Sequence, residues 1–299
     1  MAVIGLALFA VTLWAGTPAA TKFAAGSIDG TVVGMLRTLL GALVAVPLIV
    51  ASRLKPPHSA AGRGFLAATA VGGFAVFPLV FSIGVERTSA AHGALLLAVL
   101  PILTGLFAAL LARRMPGGRW WLGAVIALAG AVLLVDARFG LASTGATLEG
   151  DLLVLLACVF ASAGYVTGAR AAREAGTWAV TLWALAIGGL VLLPLVPWLV
   201  PMATLADAGV PLWSALIYLA VPASIVAYAA WYRALALDDI GRTGLIQFTQ
   251  PVLSVIIAMI LLGETVSWSM ALAGALIIAG VAVAQRRRAA PTNRKDRMS

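Results

Sequence analysis

The chain has 299 residues, of which 62% are hydrophobic and 10% charged, whereas a soluble domain is roughly half apolar and a quarter charged. This composition excludes a soluble globular protein and a sizeable soluble domain, because nearly the whole chain divides into runs close to the roughly 20 apolar residues that cross a bilayer core. The formal charge of +9 does not mark a nucleic-acid binder: the basic residues lie between the apolar runs and in the tail after Gln285, not on one face of a helix or in a basic domain.

Ten apolar runs follow one another, and each predicts a membrane-spanning helix. They cover residues 2–21, 31–51, 64–85, 89–112, 119–135, 150–169, 177–199, 211–232, 242–262 and 268–285, numbered here as spans 1 to 10. A β-barrel would alternate apolar and polar residues with period two, which these runs do not. Span 1 has small residues after an apolar core, as a signal peptide does. It lacks a charged leading region and its apolar part is long, so it is expected to be retained. It carries Trp14, Thr17 and the helix-kinking Pro18.

Span 2 contains Arg37, six residues from the start of its helix and so about 9 Å below the outer interface. A charge at that depth faces protein or water and is by default a functional site. It can meet a substrate carboxylate, or snorkel outward and pin the helix. Span 3 brings Phe77, Pro78 and Ser82, and span 4 opens near His92 and holds Pro101. His92 is close to Glu86 and Arg87, and histidine titrates near pH 6.5, so a proton-linked gate is one reading and a satisfied interfacial histidine the blander one. Span 6 contributes Ser162 and Tyr165. It also holds the single cysteine, Cys158, which can form no internal disulfide.

Span 8 lines up Ser214, Tyr218, Val221, Ile225, Tyr228 and Tyr232 at helical steps, flanked by Ser224 and Trp231. Tyr218, Ser224 and Tyr228 are midplane candidates, whereas Trp231 and Tyr232 suit an interfacial belt or a gate. Span 9, read from QFTQPVLSVIIAMILLGE, places a helix breaker and two amides where hydrocarbon is expected. Pro251 cannot donate to the carbonyl of Gln247, and a bare carbonyl in hydrocarbon must find a partner. Gln247, Gln250 and Ser254 share one face while Ile256, Ile257 and Ile260 can meet lipid. That stripe fits a water-filled cavity, with interhelical packing as the alternative.

Sixteen Lys and Arg residues fall on one side of the ten spans, from Arg53 through Arg242 to the tail, against Lys22, Arg87 and Arg138 on the other. The imbalance places both termini in the cytoplasm. Residues 91–134 laid over 241–284 without a gap superpose Pro101 on Pro251, Thr104 on Ser254 and Gly130 on Gly280. Two halves of five spans each, residues 1–140 and 141–285, must enter the membrane from opposite sides, so they are expected to form inverted repeats around a central cavity. Residues 286–299 form a basic cytoplasmic tail. Gly123 to Ala127 and Gly280 to Ala284 have small-residue spacings suited to tight helix packing within one chain.

The five-plus-five layout, WAGTP followed by Lys22, the arginine in span 2, the prolines of spans 4 and 9 and the LLGE ending at Glu264 together resemble the drug/metabolite transporter superfamily, EamA type. Many of its members carry a glutamate after span 4 where this chain has Ala112, Arg113 and Arg114. They carry a tryptophan in span 6 where this chain has SAGY. The resemblance implies an all-α integral membrane transporter of the bacterial inner membrane, with its substrate site between helices 1, 3, 4, 6, 8 and 9. Because an arginine in span 2 resembles a general family feature across different substrates, Arg37 is expected to be structural.

No acidic residue lies at a midplane, and no GxxxxGK[ST] loop is present to use ATP. Facilitated diffusion is expected, with a proton-coupled exporter of drugs or cations as the alternative. A cavity of aromatic and amide walls suits amino acids, and within the superfamily the chain resembles bacterial exporters of aromatic amino acids. No cofactor, metal or nucleic acid is expected; the partners are a small-molecule substrate and the lipid bilayer, and the protein is expected to act as a monomer. A membrane enzyme is disfavoured because no nucleophile or acid–base pair converges, and a scaffold because lipid-facing helices need no polar stripe.

Overall fold

The computed structural model describes residues 2–113, 117–135, 145–200, 205, 208–237 and 245–285. Among them every regular element is a helix. In chain order the helices are α1 (Val3–Ala25), α2 (Gly30–Ala51), α3 (Ala60–Glu86), α4 (Ala90–Leu111), α5 (Gly118–Val135), α6 (Leu148–Ala175), α7 (Thr177–Leu199), α8 (Val210–Leu237), α9 (Thr249–Leu262) and α10 (Trp268–Gln285). Seven of them, α1 to α4 and α6 to α8, are long and apolar enough to cross a membrane, and α9 and α10 are shorter apolar helices. The basic tail, the boundary near residue 140 and the acidic residues Asp136, Asp207, Asp238 and Asp239 lie outside the described residues.

Helix starts follow from residues whose side chains accept the orphan amides of a first turn. Asp29 accepts from the Thr31 amide at 2.7 Å, and Thr31 holds the Asp29 carboxyl below the usual carboxylate range. Ser59, Ser89 and Thr147 accept from Gly62, His92 and Gly150 at 2.9, 3.1 and 3.1 Å.

Proline sets the irregularities. It removes a donor and crowds the carbonyl four residues back, so the adjoining turn widens or tightens. Pro78 follows a π segment at Thr69–Val76, and Pro222 opens another at Pro222–Val226. Pro101 follows a 3₁₀ turn at Leu97–Val99, and Pro251 follows one at Leu245–Phe248. Pro18 begins the second segment of α1, Thr17–Ala25, after a break at Gly16. A Cβ on Gly16 would lie 2.5 Å from the Tyr218 hydroxyl, which donates to the carbonyl of Leu13.

Helices α1, α3, α6 and α8 surround an aromatic core, with α2 packed on α3 and α7, and α9 on α1 and α4. Helices α5 and α10 pair closely at the edge. A Cβ on Gly280 would reach the carbonyl oxygen of Gly123 at 2.6 Å, and one on Gly130 that of Ala273 at 2.8 Å. The small-residue contact of Gly123, Ala127 and Gly280 is thus made within this chain.

Candidate substrate site

Seven helices contribute to one small cavity. Its walls are Trp14 and Thr17 of α1, Arg37 of α2, Phe77 of α3, Leu97 and Leu100 of α4, Tyr165 of α6, Tyr228 of α8 and Gln250 of α9. It has room for about one water molecule, so the conformation is contracted around its centre. Trp14 organises the aromatic side. Its ring stacks on Tyr165 at 5.5 Å and 20° and meets Tyr228 and Trp231 edgewise at 5.1 and 5.5 Å. These are the offset and edge-to-face distances favoured by aromatic quadrupoles. The indole Nε1 donates to the Ala223 carbonyl at 2.8 Å, inside the π segment of α8.

Arg37 is 1% exposed, so its guanidinium stays inside the bundle instead of snorkelling outward. Its Nε donates to Ser224 Oγ at 2.9 Å, and that hydroxyl donates to the Leu219 carbonyl at 2.8 Å. The guanidinium carbon lies 5.7 Å from the centroid of the Phe77 ring. Among the described residues its Nη1 has no hydrogen-bond partner, and the ion pairs there involve other residues.

Of the residues singled out from the sequence, Trp14, Thr17, Phe77, Tyr165, Tyr228 and Gln250 line the cavity together with Arg37. Gln247, Ser254 and Ser82 are buried but outside the lining, and the side chains of all three retain an unpartnered polar atom, as do Thr17 and Gln250. Buried polar atoms are normally paired, and of these five Thr17 Oγ1 and Gln250 Oε1 belong to residues of the lining, which leaves the wall able to accept polar groups. Ser162 instead donates to the Leu100 carbonyl at 3.3 Å, and Ser224 and Tyr218 are committed to Leu219 and Leu13. Trp231, assigned from sequence to a belt or gate, is buried in the aromatic core. Phe74, which tilts onto Tyr228 at 4.6 Å, and the wall residues Leu97 and Leu100 carried no signal among so many apolar neighbours.

Polar clasps close the helix bundle at both ends. At one end the Glu264 carboxylate accepts from the amides of Ala90 and Ala91, each at 2.8 Å, which neutralises the positive end of α4. Lys22 Nζ donates to the carbonyls of Glu86 and Thr88 at 2.8 and 2.5 Å, and Arg87 pairs with Glu149. His92 Nδ1 lies 3.0 Å from Asp151 Oδ2, both buried, while Thr88 Oγ1 donates to Asp151 Oδ1 at 2.5 Å. At the other end Glu174 accepts from the Ser59 amide and hydroxyl, both at 2.7 Å, and pairs with the His58 ring at 2.9 Å. No group of three or more metal-ligating side chains occurs among the described residues. Glu264→Ala is expected to lower stability by about 1 to 2 kcal/mol, with Glu264→Gln falling between it and the parent. Thermal unfolding followed by circular dichroism in detergent measures this, and an unchanged midpoint for the alanine variant would mean that the carboxylate does not stabilise α4.

A sequence profile of the EamA-like transporter family matches residues 1–136 and 148–285. YdeK of Bacillus subtilis (strain 168), named an uncharacterized transporter, is 28% identical over 92% of this chain and 94% of its own length. YdfC of the same organism, also named an uncharacterized transporter, is 25% identical over 83% of this chain and 79% of its own. A solved crystal structure superposes with a TM-score of 0.65 at 23% identity, covering 94% of this chain and 95% of that one, which extends the likeness to the fold.

Proposed function

Because the chain belongs to the EamA-like transporter family, we propose that it exports small metabolites, neutral amino acids and aromatic ones foremost, through the cavity beside Trp14 and Arg37. The observation that carries this reading is a wall with two kinds of surface: stacked aromatic rings on α1, α6 and α8, and unpartnered amide and hydroxyl groups on α1 and α9. Such a wall suits a cargo that is polar at one end and apolar at the other. The contracted cavity implies that the helices must separate to admit it. Alternating access by two inverted five-helix repeats, residues 1–140 and 141–285, supplies that motion. The two stretches matched by the family profile support the division. So does the recurrence of a proline-linked π segment in α3 and α8 and of a 3₁₀ turn before the prolines of α4 and α9.

The protein acts as a monomer in the bacterial inner membrane with both termini in the cytoplasm, an orientation supported by its basic loops. Transport is facilitated diffusion, a reading supported by a cavity wall that among the described residues holds no carboxylate to carry a proton with each cargo. Uptake of radiolabelled phenylalanine, tryptophan, threonine and a cationic dye into proteoliposomes, with and without an inward pH gradient, tests this. Saturable amino acid uptake indifferent to the gradient is expected. Gradient-dependent uptake of the dye alone would instead make the protein a proton-coupled exporter of cations.

A further inference from the structure

We propose that Arg37 is the carboxylate anchor of the cavity, so that the cargo is a monocarboxylate bearing an aromatic or bulky apolar group. The inference rests on reading this cavity as the cargo site and adds the charge that the cargo must carry.

Four observations support it. Arg37 lines the cavity while being 1% exposed, and a buried cation without a counter-ion is costly. The described residues give it no ion pair, and Nη1 has no hydrogen-bond partner. The other edge of the guanidinium is held fast: Nε is bonded to Ser224 Oγ, which is itself bonded to the carbonyl of Leu219. Finally, the unpartnered Thr17 Oγ1 lines the same cavity. A planar donor fork with one edge fixed and another unspent matches a carboxylate, which accepts from several donors at once.

The remaining wall orients the rest of the cargo. Trp14, Tyr165, Tyr228 and Phe77 receive a ring or branched chain. The unpartnered Oε1 of Gln250 can accept from an α-ammonium where the cargo has one, but a 2-oxo acid does not need it. An amine without a carboxylate brings a second positive charge beside Arg37 and leaves Nη1 unspent. Amino acids and 2-oxo acids are therefore cargo, and the corresponding amines are not.

The experiment uses the full chain in proteoliposomes and reads competition against radiolabelled phenylalanine by unlabelled phenylpyruvate, phenethylamine and phenylalaninol. Phenylpyruvate is expected to compete, and the two compounds lacking a carboxylate are expected to be weaker by about 10- to 100-fold. Arg37→Gln should raise KM for phenylalanine by a similar factor in protein that remains monodisperse, and Arg37→Lys should recover part of the loss. Should Arg37→Gln fail to fold, Ser224→Ala frees Nε and should raise KM for carboxylates alone. Equal competition by phenethylamine and phenylpyruvate would overturn the assignment of Arg37.

If the parent protein moves no phenylalanine, the proposed cargo fails independently. The carboxylate anchor is then read from thermal stabilisation of the detergent-solubilised protein. Benzoate and phenylpyruvate should raise the midpoint in the parent and not in Arg37→Gln, whereas stabilisation by phenethylamine to the same extent would refute it.

Discussion

Trp14→Ala is expected to abolish uptake and to lower stability by about 3 to 5 kcal/mol, the range for truncating a large buried aromatic. In a membrane this loss does not come from exposing apolar surface to water, since lipid is as apolar as the core. It comes from lost dispersion contacts around a void that the neighbouring rings cannot fill. The indole touches Tyr165, Tyr228 and Trp231 at once, so its removal loosens α6 and α8 together. The Ala223 carbonyl also loses the donor it receives at 2.8 Å. Trp14→Phe separates the two effects, because it keeps a ring and loses only the N–H, and it should retain reduced but saturable uptake. Melting of purified protein and initial rates in proteoliposomes are the measurements. Full activity in the alanine variant would remove Trp14 from the site.

Gly280→Leu is expected to cost about 3 kcal/mol or more and to reduce the yield of monodisperse protein sharply. The first carbon of any side chain there meets backbone, the carbonyl of Gly123 at 2.6 Å and the amide of Ala127. Backbone cannot rotate away as a flexible side chain can, so α5 and α10 must separate. The contrast with Gly5 makes the prediction specific. Nothing lies within 4 Å of a Cβ built on Gly5, where alanine should stabilise the helix by up to about 1 kcal/mol. The same change, Gly→Ala, is thus expected to have opposite signs at positions 5 and 280, and equal effects at both would contradict the close approach.

The existence of the helices is legible because long apolar runs with few charges have little other use, but their ends are not: α6 runs on to Ala175 instead of ending at 169, and α9 begins at Thr249 instead of 242. The prolines were legible as breaks, though not in kind: the sequence places Pro78 and Pro101 inside helices, but whether the adjoining turn widens to π or tightens to 3₁₀ depends on packing. Polar and aromatic residues within the apolar runs are the legible part of the site, and six of the twelve substrate candidates line the cavity. The others show why residue type alone is insufficient. Ser162 spends its hydroxyl on a carbonyl of α4, a contact across 62 positions that no local pattern encodes. Arg37 is visible as a charge at depth, but its hydrogen-bond partner Ser224 lies 187 positions away. Leu97 and Leu100 could not be distinguished from the other leucines of α4, because wall and lipid face have the same composition when both are apolar.

The two end clasps differ in their access to water. Glu174 holds the start of α3 beside a His58 side chain that is 89% exposed, whereas the opposite end keeps His92 and Asp151 at 2% and 0%. Dissolved ions screen exposed charges within a Debye length of about 8 Å at physiological strength and reach buried pairs far less. Added salt therefore weakens the exposed pairs, His58 with Glu174 at one end and Arg87 with Glu149, 44% and 66% exposed, at the other, and largely spares His92 and Asp151. Ionic strength becomes a handle on the outer pairs at both ends, while the buried contact of His92 with Asp151 should persist in high salt.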